Sequence, residues 1–301
     1  MKISVLGPAG SYSEKAAQLF FKKCRPEVAD KELIYSSTIE NAVLSLWDEK
    51  NPADYAVIPI ENSIEGAVGV SMDLLNEKDV AIGAEIIIRI EHCLLSREAA
   101  LSDIDVVYSH PQGLYQCRNF LRENLKNVRL IETDSTSKAA QMAAANPRSA
   151  AIASAEAGRK YGLNTLETNI QSVKNNRTRF VLISKRNESN GFIFGDVLQY
   201  VPENEFETDG NGKTYLKTSV VSYLKNDKPG ALYHILGAFF EHTLNLTRIE
   251  SRPAKKELGD YCFYIDFEGD RRDENVQKAL EDALEQSDRL KMLGTYGRLA
   301  E

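Results

Sequence analysis

Short apolar runs alternate with amphipathic segments of helical period through the first 185 residues of the chain. The apolar runs predict strands, and the amphipathic segments between them predict helices. The predicted strands cover 2–7, 32–37, 55–60, 105–110, 128–133, 149–154 and 179–184, and the predicted helices cover about 13–23, 39–49, 66–76, 111–125, 136–146 and 154–161. Such alternation is typical of parallel sheets with crossover helices, so this region belongs to the α/β class.

One long segment, 81–96, is rich in β-branched residues and predicts a single long strand or a pair of strands. These elements, joined by polar turns, are compatible with one large sheet or with two lobes. The positions of the segment 81–96 and of the late strand 179–184 suit two chain crossings, one from the first lobe to the second and one back. We therefore expect two lobes with a cleft between them.

The pattern changes after residue 185, where 186–214 is rich in Gly, Asn, Asp and Glu and shows little periodicity. It predicts a linker. From 215 the order is strand, helix, strand, strand, helix, strand, over 215–224, 229–243, 246–253, 260–269, 272–287 and 289–296. This βαββαβ order is ferredoxin-like. The predicted domains are 1–185 and 215–301, joined by 186–214.

Composition limits the classes of function. The 301 residues are 43% apolar and 27% charged, as in a soluble globular protein of two or three compact units. A net charge of −7 argues against a nucleic-acid partner. No apolar run approaches the roughly 20 residues of a membrane span, and the N-terminal MKISVLG is too brief for a signal peptide. With four widely separated cysteines, these features predict free thiols and a cytoplasmic location.

The sequence shows no pattern for a metal or a cofactor. The four histidines form no H-E-x-x-H or Cys/His array, and GPAGS at 7–11 is not a G-x-G-x-x-G fingerprint. We therefore expect chemistry without a metal or a cofactor.

Candidate chemistry lies at the ends of predicted strands. The sequence TRF at 178–180 offers a neutral proton donor in Thr178 and a planar fork of donors in Arg179. GPAGSYSE at 7–14 carries Ser11 and Ser13 before a helix, where hydroxyls and exposed amides bind a carboxylate well. Helix capping alone also explains those two serines.

Two further strand ends carry polar residues. PIENSIEG at 59–66 places Glu61 beside Asn62 and Ser63, and SHPQGLYQC at 109–117 supplies Ser109 and Gln116. A helix cap or the start of a surface helix is the alternative explanation for each. TDSTSKAA at 133–140 is also rich in hydroxyl groups, and there we prefer the interpretation that Ser135, Thr136 or Ser137 only caps a helix. Strand ends of a parallel α/β lobe gather on one rim, so we expect these side chains to converge there.

The C-terminal unit has two motifs of its own. KPGALYHIL at 228–236 places Gly230 and Ala231 at a helix start, where small residues permit close approach of a ligand or another backbone. IESRP at 249–253 places Glu250, Ser251 and Arg252 at a strand end. A well-made helix start and a surface ion pair are the plain alternatives.

Together these segments resemble prephenate dehydratase with its C-terminal ACT regulatory domain, over almost the whole chain. The resemblance implies a two-lobed catalytic domain of type II periplasmic-binding-protein architecture followed by the ACT domain. It implies the lyase reaction from prephenate to phenylpyruvate, CO₂ and water on the route to phenylalanine. It further implies a homodimer or homotetramer. No region resembles chorismate mutase, so the chain resembles a monofunctional enzyme.

The resemblance also implies roles for single residues. Thr178 would hydrogen-bond the departing hydroxyl, Arg179 would pair with a carboxylate, and Glu61 would lie near the cleft without an obvious role. Asn62, Ser109 and Gln116 would orient the substrate. Additional substrate-binding residues would be Ser11, Ser13, Ser63 and Phe180, and a phenylalanine effector would bind Asn226, Gly230, Ala231, Leu232, Glu250, Ser251 and Arg252.

Two alternatives remain open from the sequence. An arogenate dehydratase acts on a substrate that differs from prephenate by an amino group. A non-enzymatic receptor for an amino acid or anion shares the two-lobed plan, although the ACT-like unit argues against it.

Overall fold

The computed structural model describes residues 1–28, 30–186, 197–225, 228–255 and 260–300. The first lobe and the C-terminal unit share one ten-stranded sheet, and the second lobe has a five-stranded sheet. The first lobe contains β1 (Lys2–Leu6), α1 (Tyr12–Lys23), β2 (Glu32–Ser36), α2 (Ile39–Leu44), β3 (Tyr55–Asn62), β4 (Gly66–Ala67), α3 (Gly69–Glu77), β5 (Val80–Arg89) and, late in the chain, β11 (Arg177–Lys185).

The second lobe is inserted between β5 and β11. It contains β6 (Cys93–Ser96), β7 (Val106–Ser109), α4 (Pro111–Gln116), α5 (Arg118–Asn124), β8 (Arg129–Glu132), α6 (Thr136–Ala145), β9 (Ser149–Ala153), α7 (Ala155–Tyr161) and β10 (Asn164–Glu167), with strand order β10-β6-β9-β7-β8. The predicted segment 81–96 is therefore two strands in different sheets, and the two-lobed α/β fold is confirmed. The interpretation as one large sheet is wrong for these residues.

Some boundaries differ from the prediction for local reasons. Strand β10 was missed because it is a short and largely exposed strand at the edge of its sheet. The predicted helix 111–125 is divided at Cys117, and the backbone carbonyl of Gln116 there accepts from the amide of Ser172 at 2.8 Å. A helix cap was predicted within 133–140, and the structure shows that it is Ser135, whose side chain accepts from the amide of Lys138.

The C-terminal unit consists of β12 (Leu216–Leu224), α8 (Ala231–Glu241), β13 (Leu246–Pro253), β14 (Tyr261–Glu268), α9 (Glu274–Glu285) and β15 (Ser287–Arg298). This order is the predicted βαββαβ arrangement. Both helices pack on one face of its sheet, around the buried Val220, Phe239 and Phe267. The other face packs against the first lobe through Val221, Tyr264 and Tyr296, among others.

The two units are joined edge to edge, which the sequence did not predict. Strand β15 pairs in parallel with β5, giving the order β13-β14-β12-β15-β5-β11-β3-β1-β2. Gly294 has φ of +149°, and a Cβ atom there would lie 2.5 Å from the backbone oxygen of Ile82. A residue without a side chain is therefore required where β15 approaches β5. The pairing also covers an edge of the first-lobe sheet.

Side chains of the C-terminal unit bind the backbone of α3 across this interface. Lys291 Nζ donates to the backbone carbonyls of Leu75, Asn76 and Lys78 at 2.7–2.9 Å. The Tyr264 hydroxyl donates to the carbonyl of Met72 at 2.7 Å. The Lys291 contacts satisfy carbonyls at the C-terminal end of α3, which have no partner within the helix.

Part of the predicted linker packs against the first lobe. Val197, Val201 and Phe206 are buried in the same hydrophobic core as Phe20 and Tyr55. These three side chains thus extend the first-lobe core, although the sequence pattern predicted a connection there.

Candidate active site

The pairing of β11 with β3 positions the central residues of the site. Thr178 is paired with Asn62, and Arg179 is paired with Glu61. Successive side chains of a strand point to opposite faces of a sheet, and paired residues share a face. Thr178 and Asn62 therefore lie on one face, and Arg179 and Glu61 lie on the other.

Asn62 orients the hydroxyl group of Thr178. Its Nδ2 atom donates to Thr178 Oγ1 at 2.9 Å and to Asn176 Oδ1 at 2.8 Å, while its Oδ1 atom accepts from the amide of Ile64 at 3.0 Å. Because Oγ1 accepts from Asn62, the proton of the Thr178 hydroxyl remains available for another acceptor. Thr178 is 9% exposed, so its hydroxyl group lies in an environment with little access to solvent.

The hydrogen bonds continue from Asn176 into the second lobe. Asn176 Nδ2 donates to Gln116 Oε1 at 3.1 Å, and the same oxygen lies 3.0 Å from His92 Nε2. Burial lowers the pKa of His92, although the bond to Gln116 opposes that shift, so the ring is neutral near pH 7. The network therefore contains amides, a hydroxyl and a neutral imidazole, without a formal charge.

Two buried donors of this network are unused. Gln171 joins the network because its Oε1 atom accepts from the amide of His92 at 2.9 Å. Among the described residues, Gln116 Nε2 and Gln171 Nε2 have no hydrogen-bond partner. A buried amide without a partner costs free energy unless a ligand or water satisfies it. These amides can donate to an oxygen-rich ligand.

Sequence reasoning missed Asn176, His92 and Gln171. His92 and Asn176 lie on the two crossings between the lobes, and the amide of Ile90 donates to the carbonyl of Asn176 at 2.8 Å. The only signal in the sequence was the polar character of 171–176 just before TRF. The network thus connects the two lobes at the two chain crossings between them.

Ser109 and the loop after β1 lie in tight contacts. The Ser109 hydroxyl is fully buried and donates to the carbonyl of Ile152 at 2.9 Å. The hydroxyls of Ser137 and Ser154, in the second lobe, donate to the carbonyls of Ala9 and Gly10 at 2.5 and 3.1 Å. Gly10 has φ of +89°, which favours glycine at this contact between lobes.

The remaining predicted substrate-binding residues have structural partners. Ser11 caps α1 and donates to the carbonyl of Leu6 at 2.9 Å, and Ser13 is buried in the first turn of that helix. Ser63 Oγ accepts from the amide of Arg177 at 2.9 Å. Phe180 is 2% exposed and belongs to the first-lobe core, a placement that supports packing rather than contact with a ligand. The other roles stay predictions.

Arg179 faces the C-terminal unit. Its Nε atom donates to Glu85 Oε2 at 2.5 Å, Nη1 to Asp266 Oδ2 at 2.6 Å, and Nη2 to the Tyr296 hydroxyl at 2.8 Å. Glu61 Oε2 lies 3.5 Å from Arg179 Nη1. All three guanidinium nitrogens therefore have protein partners. The structure does not bring Arg179 or Glu61 into the network of Thr178, so the geometry does not support the predicted pairing of Arg179 with a substrate carboxylate.

The charges around Arg179 neutralise one another. Glu85 is fully buried, which by itself would raise its pKa, but Arg179, Lys217 and Arg298 outweigh burial and lower the pKa to about 2. Burial would lower the pKa of Arg179, yet Tyr296, Asp266 and Glu85 hold it well above its ordinary value. Both groups are therefore charged across the physiological range.

Comparison with known proteins identifies the family. Residues 3–188 match the prephenate dehydratase family, and residues 219–285 match the ACT domain. The chain belongs to the prephenate dehydratase family. It is 38% identical over 292 residues to prephenate dehydratase from Methanocaldococcus jannaschii, a match that covers 96% of this chain and 95% of the relative. The resemblance inferred from the motifs is confirmed.

Solved structures agree with the family. A crystal structure of prephenate dehydratase from Arthrobacter aurescens in complex with L-Phe has a TM-score of 0.80 and 30% identity, covering 99% of this chain and 90% of that chain. A structure described as a novel type of quorum quenching acylase has a TM-score of 0.78 and 26% identity, covering 99% and 98%. Similar folds thus occur with different described activities.

The residues predicted to bind an effector lie in different parts of the ACT domain. Asn226 lies outside the described residues. Gly230 has φ of +86° and precedes α8, which begins with Ala231 and Leu232. On β13, Arg252 Nη2 donates to Asp73 Oδ1 of α3 at 3.0 Å, whereas Ser251 is exposed. Glu250 Oε2 lies 4.0 Å from Arg248 Nη2. Their roles in effector binding stay predictions.

Within the described part of the chain, no group of three or more His, Cys, Asp or Glu side chains is placed to hold a metal ion. In the same residues, no helix is both long enough and apolar enough to cross a bilayer.

Proposed function

We propose that this protein converts prephenate into phenylpyruvate, CO₂ and water, with Thr178 as the donor to the departing hydroxyl. Membership of the family supports the reaction. The observation that supports the role of Thr178 is the bond from Asn62 Nδ2 to its Oγ1 atom, because this bond leaves the hydroxyl proton for the substrate. Asn62, Gln116, Ser109, Ser11, Ser13 and Ser63 are proposed to orient the substrate.

The neutral network suits the electron flow of this reaction. The bond between the ring and its carboxylate breaks, CO₂ leaves, and the electron pair forms the aromatic ring as the bond from carbon to the hydroxyl oxygen breaks. The departing hydroxide takes up one proton and becomes water. A hydrogen bond from Thr178 stabilises the charge that develops on this oxygen. Because threonine is a weak acid, the proton reaches the oxygen from solvent by relay through Thr178.

A direct assay tests the activity. Purified full-length protein is mixed with prephenate, arogenate or an N-acylated amine, and phenylpyruvate, phenylalanine, CO₂ and free carboxylic acid are measured. We expect phenylpyruvate and CO₂ from prephenate. Formation of phenylalanine from arogenate at higher kcat/KM would identify an arogenate dehydratase, and hydrolysis of the acyl amide bond without prephenate turnover would place the activity with the related acylase. Binding without turnover of any substrate would indicate a receptor.

We also propose that phenylalanine inhibits the enzyme through the ACT domain. The complex of the Arthrobacter aurescens enzyme with L-Phe and the presence of the ACT domain support this effector. Backbone groups near Gly230 to Leu232 would hold its amino and carboxylate groups, and Glu250, Ser251 and Arg252 would fix the adjoining strand. Gly230→Val is strained at φ of +86° and fills this region, so we expect measurable turnover with lost phenylalanine sensitivity. Unchanged inhibition of this variant would contradict the proposed site.

The ACT domain offers a surface for self-association. Tyr233 and Phe240 on α8 are 74% and 82% exposed, and Ile249 on the edge strand β13 is 45% exposed. Exposed apolar side chains beside an unpaired strand edge favour association. We propose a homodimer through this face, with a homotetramer as the larger alternative. Light scattering of the wild type and of Phe240→Glu tests it, because the charged side chain should shift the protein toward monomer.

The proposed location is the cytoplasm. Fractionation of cells that express the full chain tests it: we expect the protein with the soluble cytoplasmic fraction, and recovery outside that fraction would contradict it.

A further inference from the structure

A buried ion cluster joins the catalytic strands to the ACT domain. We name it the interdomain cluster. It consists of Glu61, Glu85 and Arg179 from the first lobe and of Lys217, Asp266, Tyr296 and Arg298 from the ACT domain. Arg179 is 8% exposed, Asp266 is 3% exposed, and Glu85 and Tyr296 are fully buried. The centre of the cluster therefore lies inside the protein, and Glu61 and Arg298 at its rim are partly exposed.

We propose that Arg179 is a positioning residue through which the ACT domain sets the geometry of Thr178. This inference rests on the proposed function of Thr178 as a donor to the substrate. It replaces the predicted contact between Arg179 and a substrate carboxylate with a contact between domains.

The first argument is the completeness of the bonding around Arg179. Two of its three short bonds go to Asp266 and Tyr296 of the ACT domain, at 2.6 and 2.8 Å. Ser219 fixes both of these partners, since its hydroxyl donates to Asp266 Oδ1 at 2.6 Å and lies 2.5 Å from the Tyr296 hydroxyl. Arg179 is thereby held at a fixed point of the ACT sheet.

The second argument is the short covalent path from Arg179 to the site. Thr178 directly precedes Arg179 on β11. On β3, the partner of Thr178 is Asn62, which directly follows Glu61, the partner of Arg179. The pairing of β11 with β3 shifts register between Arg179 and Phe180, directly beside this point. A shift of Arg179 relative to Glu85 would therefore move Thr178 relative to Asn62, and catalysis is sensitive to such small displacements.

The third argument connects the cluster to the predicted effector strand. Arg248 on β13 places its Nε atom 3.5 Å from Glu61 Oε2 and its Nη2 atom 4.0 Å from Glu250 Oε2. Glu250 is one of the residues predicted to bind phenylalanine. A ligand that moves β13 would change the contact of Arg248 with Glu61, which also lies 3.5 Å from Arg179. The cluster thus offers a physical connection between the two sites.

The competing role for Arg179 has a clear structural cost. To bind a substrate carboxylate, its guanidinium would have to leave Glu85 and Asp266 and reach the opposite face of β11. Both carboxylates would then lose a partner while buried, which is strongly unfavourable.

Steady-state kinetics of full-length variants test the proposal. We expect Asp266→Asn to lower kcat roughly fivefold to thirtyfold while KM stays within about twofold, since the substrate contacts remain. Arg179→Lys keeps the charge but loses the fork, and we expect the same pattern. Both substitutions break the same contact, between Arg179 and Asp266. The kcat of the double variant Arg179→Lys/Asp266→Asn should therefore be no lower than that of the more impaired single variant. The phenylalanine concentration for half-inhibition should shift in both single variants.

A pair of tyrosine variants separates positioning from general interface stability. Tyr296→Phe removes a hydroxyl that binds Arg179, and Tyr223→Phe removes a hydroxyl that binds Asn76 across the same interface. We expect a kcat decrease of about twofold to fivefold only for Tyr296→Phe. If Asp266→Asn fails to fold, this pair of tyrosine variants still tests whether Arg179 acts as a positioning residue.

Three outcomes would overturn the proposal. One is wild-type kcat and phenylalanine response in both Asp266→Asn and Tyr296→Phe. Another is a raised KM with unchanged kcat in Arg179→Lys alone, which would assign Arg179 to the substrate. The last is an equal loss in Tyr223→Phe and Tyr296→Phe, which would indicate interface stability only. If the wild type does not turn over prephenate, the proposed function fails, and that result is seen before any variant is made.

Discussion

The two faces of strand β11 differ in the kind of polar group that they carry. On the Thr178 face, hydrogen bonds connect Asn62, Asn176 and Gln116, which are all neutral. On the Arg179 face, ion pairs connect Glu85 and Asp266 with the guanidinium. One residue along the strand therefore separates a neutral network from a charged one.

The comparison shows that buried polar residues serve two purposes in this protein. The neutral network keeps unpartnered donors such as Gln116 Nε2 among the described residues, so it can donate to an incoming anion without first breaking an ion pair. The interdomain cluster has its charges paired internally, so it can hold two domains in one arrangement but has little to offer a ligand. Binding and positioning are thus assigned to opposite faces.

The largest expected effect is on the charged face. Glu85→Gln leaves Arg179, Lys217 and Arg298 without their shared carboxylate, and breaking a buried pair of this kind costs roughly 3–5 kcal/mol. We expect that loss in the free energy of unfolding, measured with urea at pH 7. Glu123→Gln, on an exposed surface of α5, is the control and should change stability by less than about 0.5 kcal/mol.

The same variant should change the response to acid. The pKa of Glu85 is lowered to about 2 in the folded state, so its contribution to stability is present above its ordinary pKa and is lost as pH falls from about 5 toward 2. The difference in unfolding free energy between wild type and Glu85→Gln should therefore shrink over that range. A difference that stays constant from pH 7 to pH 3 would show that the carboxylate charge is not what stabilises the cluster.

On the neutral face, Thr178→Ala should lower kcat by roughly 10²-fold or more, because it removes the proposed proton donor. Thr178→Ser keeps a hydroxyl and should retain part of the activity. Thermal unfolding checks that both variants are folded. A folded alanine variant with nearly full activity would remove Thr178 from the mechanism and would leave the two faces without a functional difference.

A smaller effect is expected for Asn176→Ala, which removes the donor to Gln116 Oε1 without adding a charge at this fully buried position. Losing one oriented hydrogen bond should lower kcat/KM roughly tenfold. The adjacent Asn175 is exposed, so Asn175→Ala makes the same change outside the buried network as a matched control. Equal losses in both variants would assign the effect to the backbone of this segment rather than to the hydrogen bond.

No effect is expected from metal removal. Extensive treatment with a strong chelator should leave kcat and KM unchanged, because the proposed mechanism uses only hydrogen-bond donors. Loss of activity that one specific divalent ion restores would contradict it and would require a ligand set on one of the two faces.

The sequence predicted most of the architecture because hydrophobic period and turn residues act locally. The strands at 2–7 and 246–253 and the helix at 13–23 lie within a residue or two of the observed elements. The motifs also identified the family, since PIENSIEG and TRF each keep several polar residues at fixed spacing. The short strand β10 was missed because its pattern is mostly exposed.

The amino-acid sequence by itself determined the elements, the two-lobed plan, the ACT unit and the residues from which a site is built. Only the tertiary structure decided which of those residues meet. The register of β11 against β3 sends Thr178 to one face and Arg179 to the other, and the pairing of β15 with β5 brings Asp266 and Tyr296 to Arg179. Those partners lie 87 and 117 residues away along the chain, and contacts between such distant residues depend on packing that no local pattern encodes.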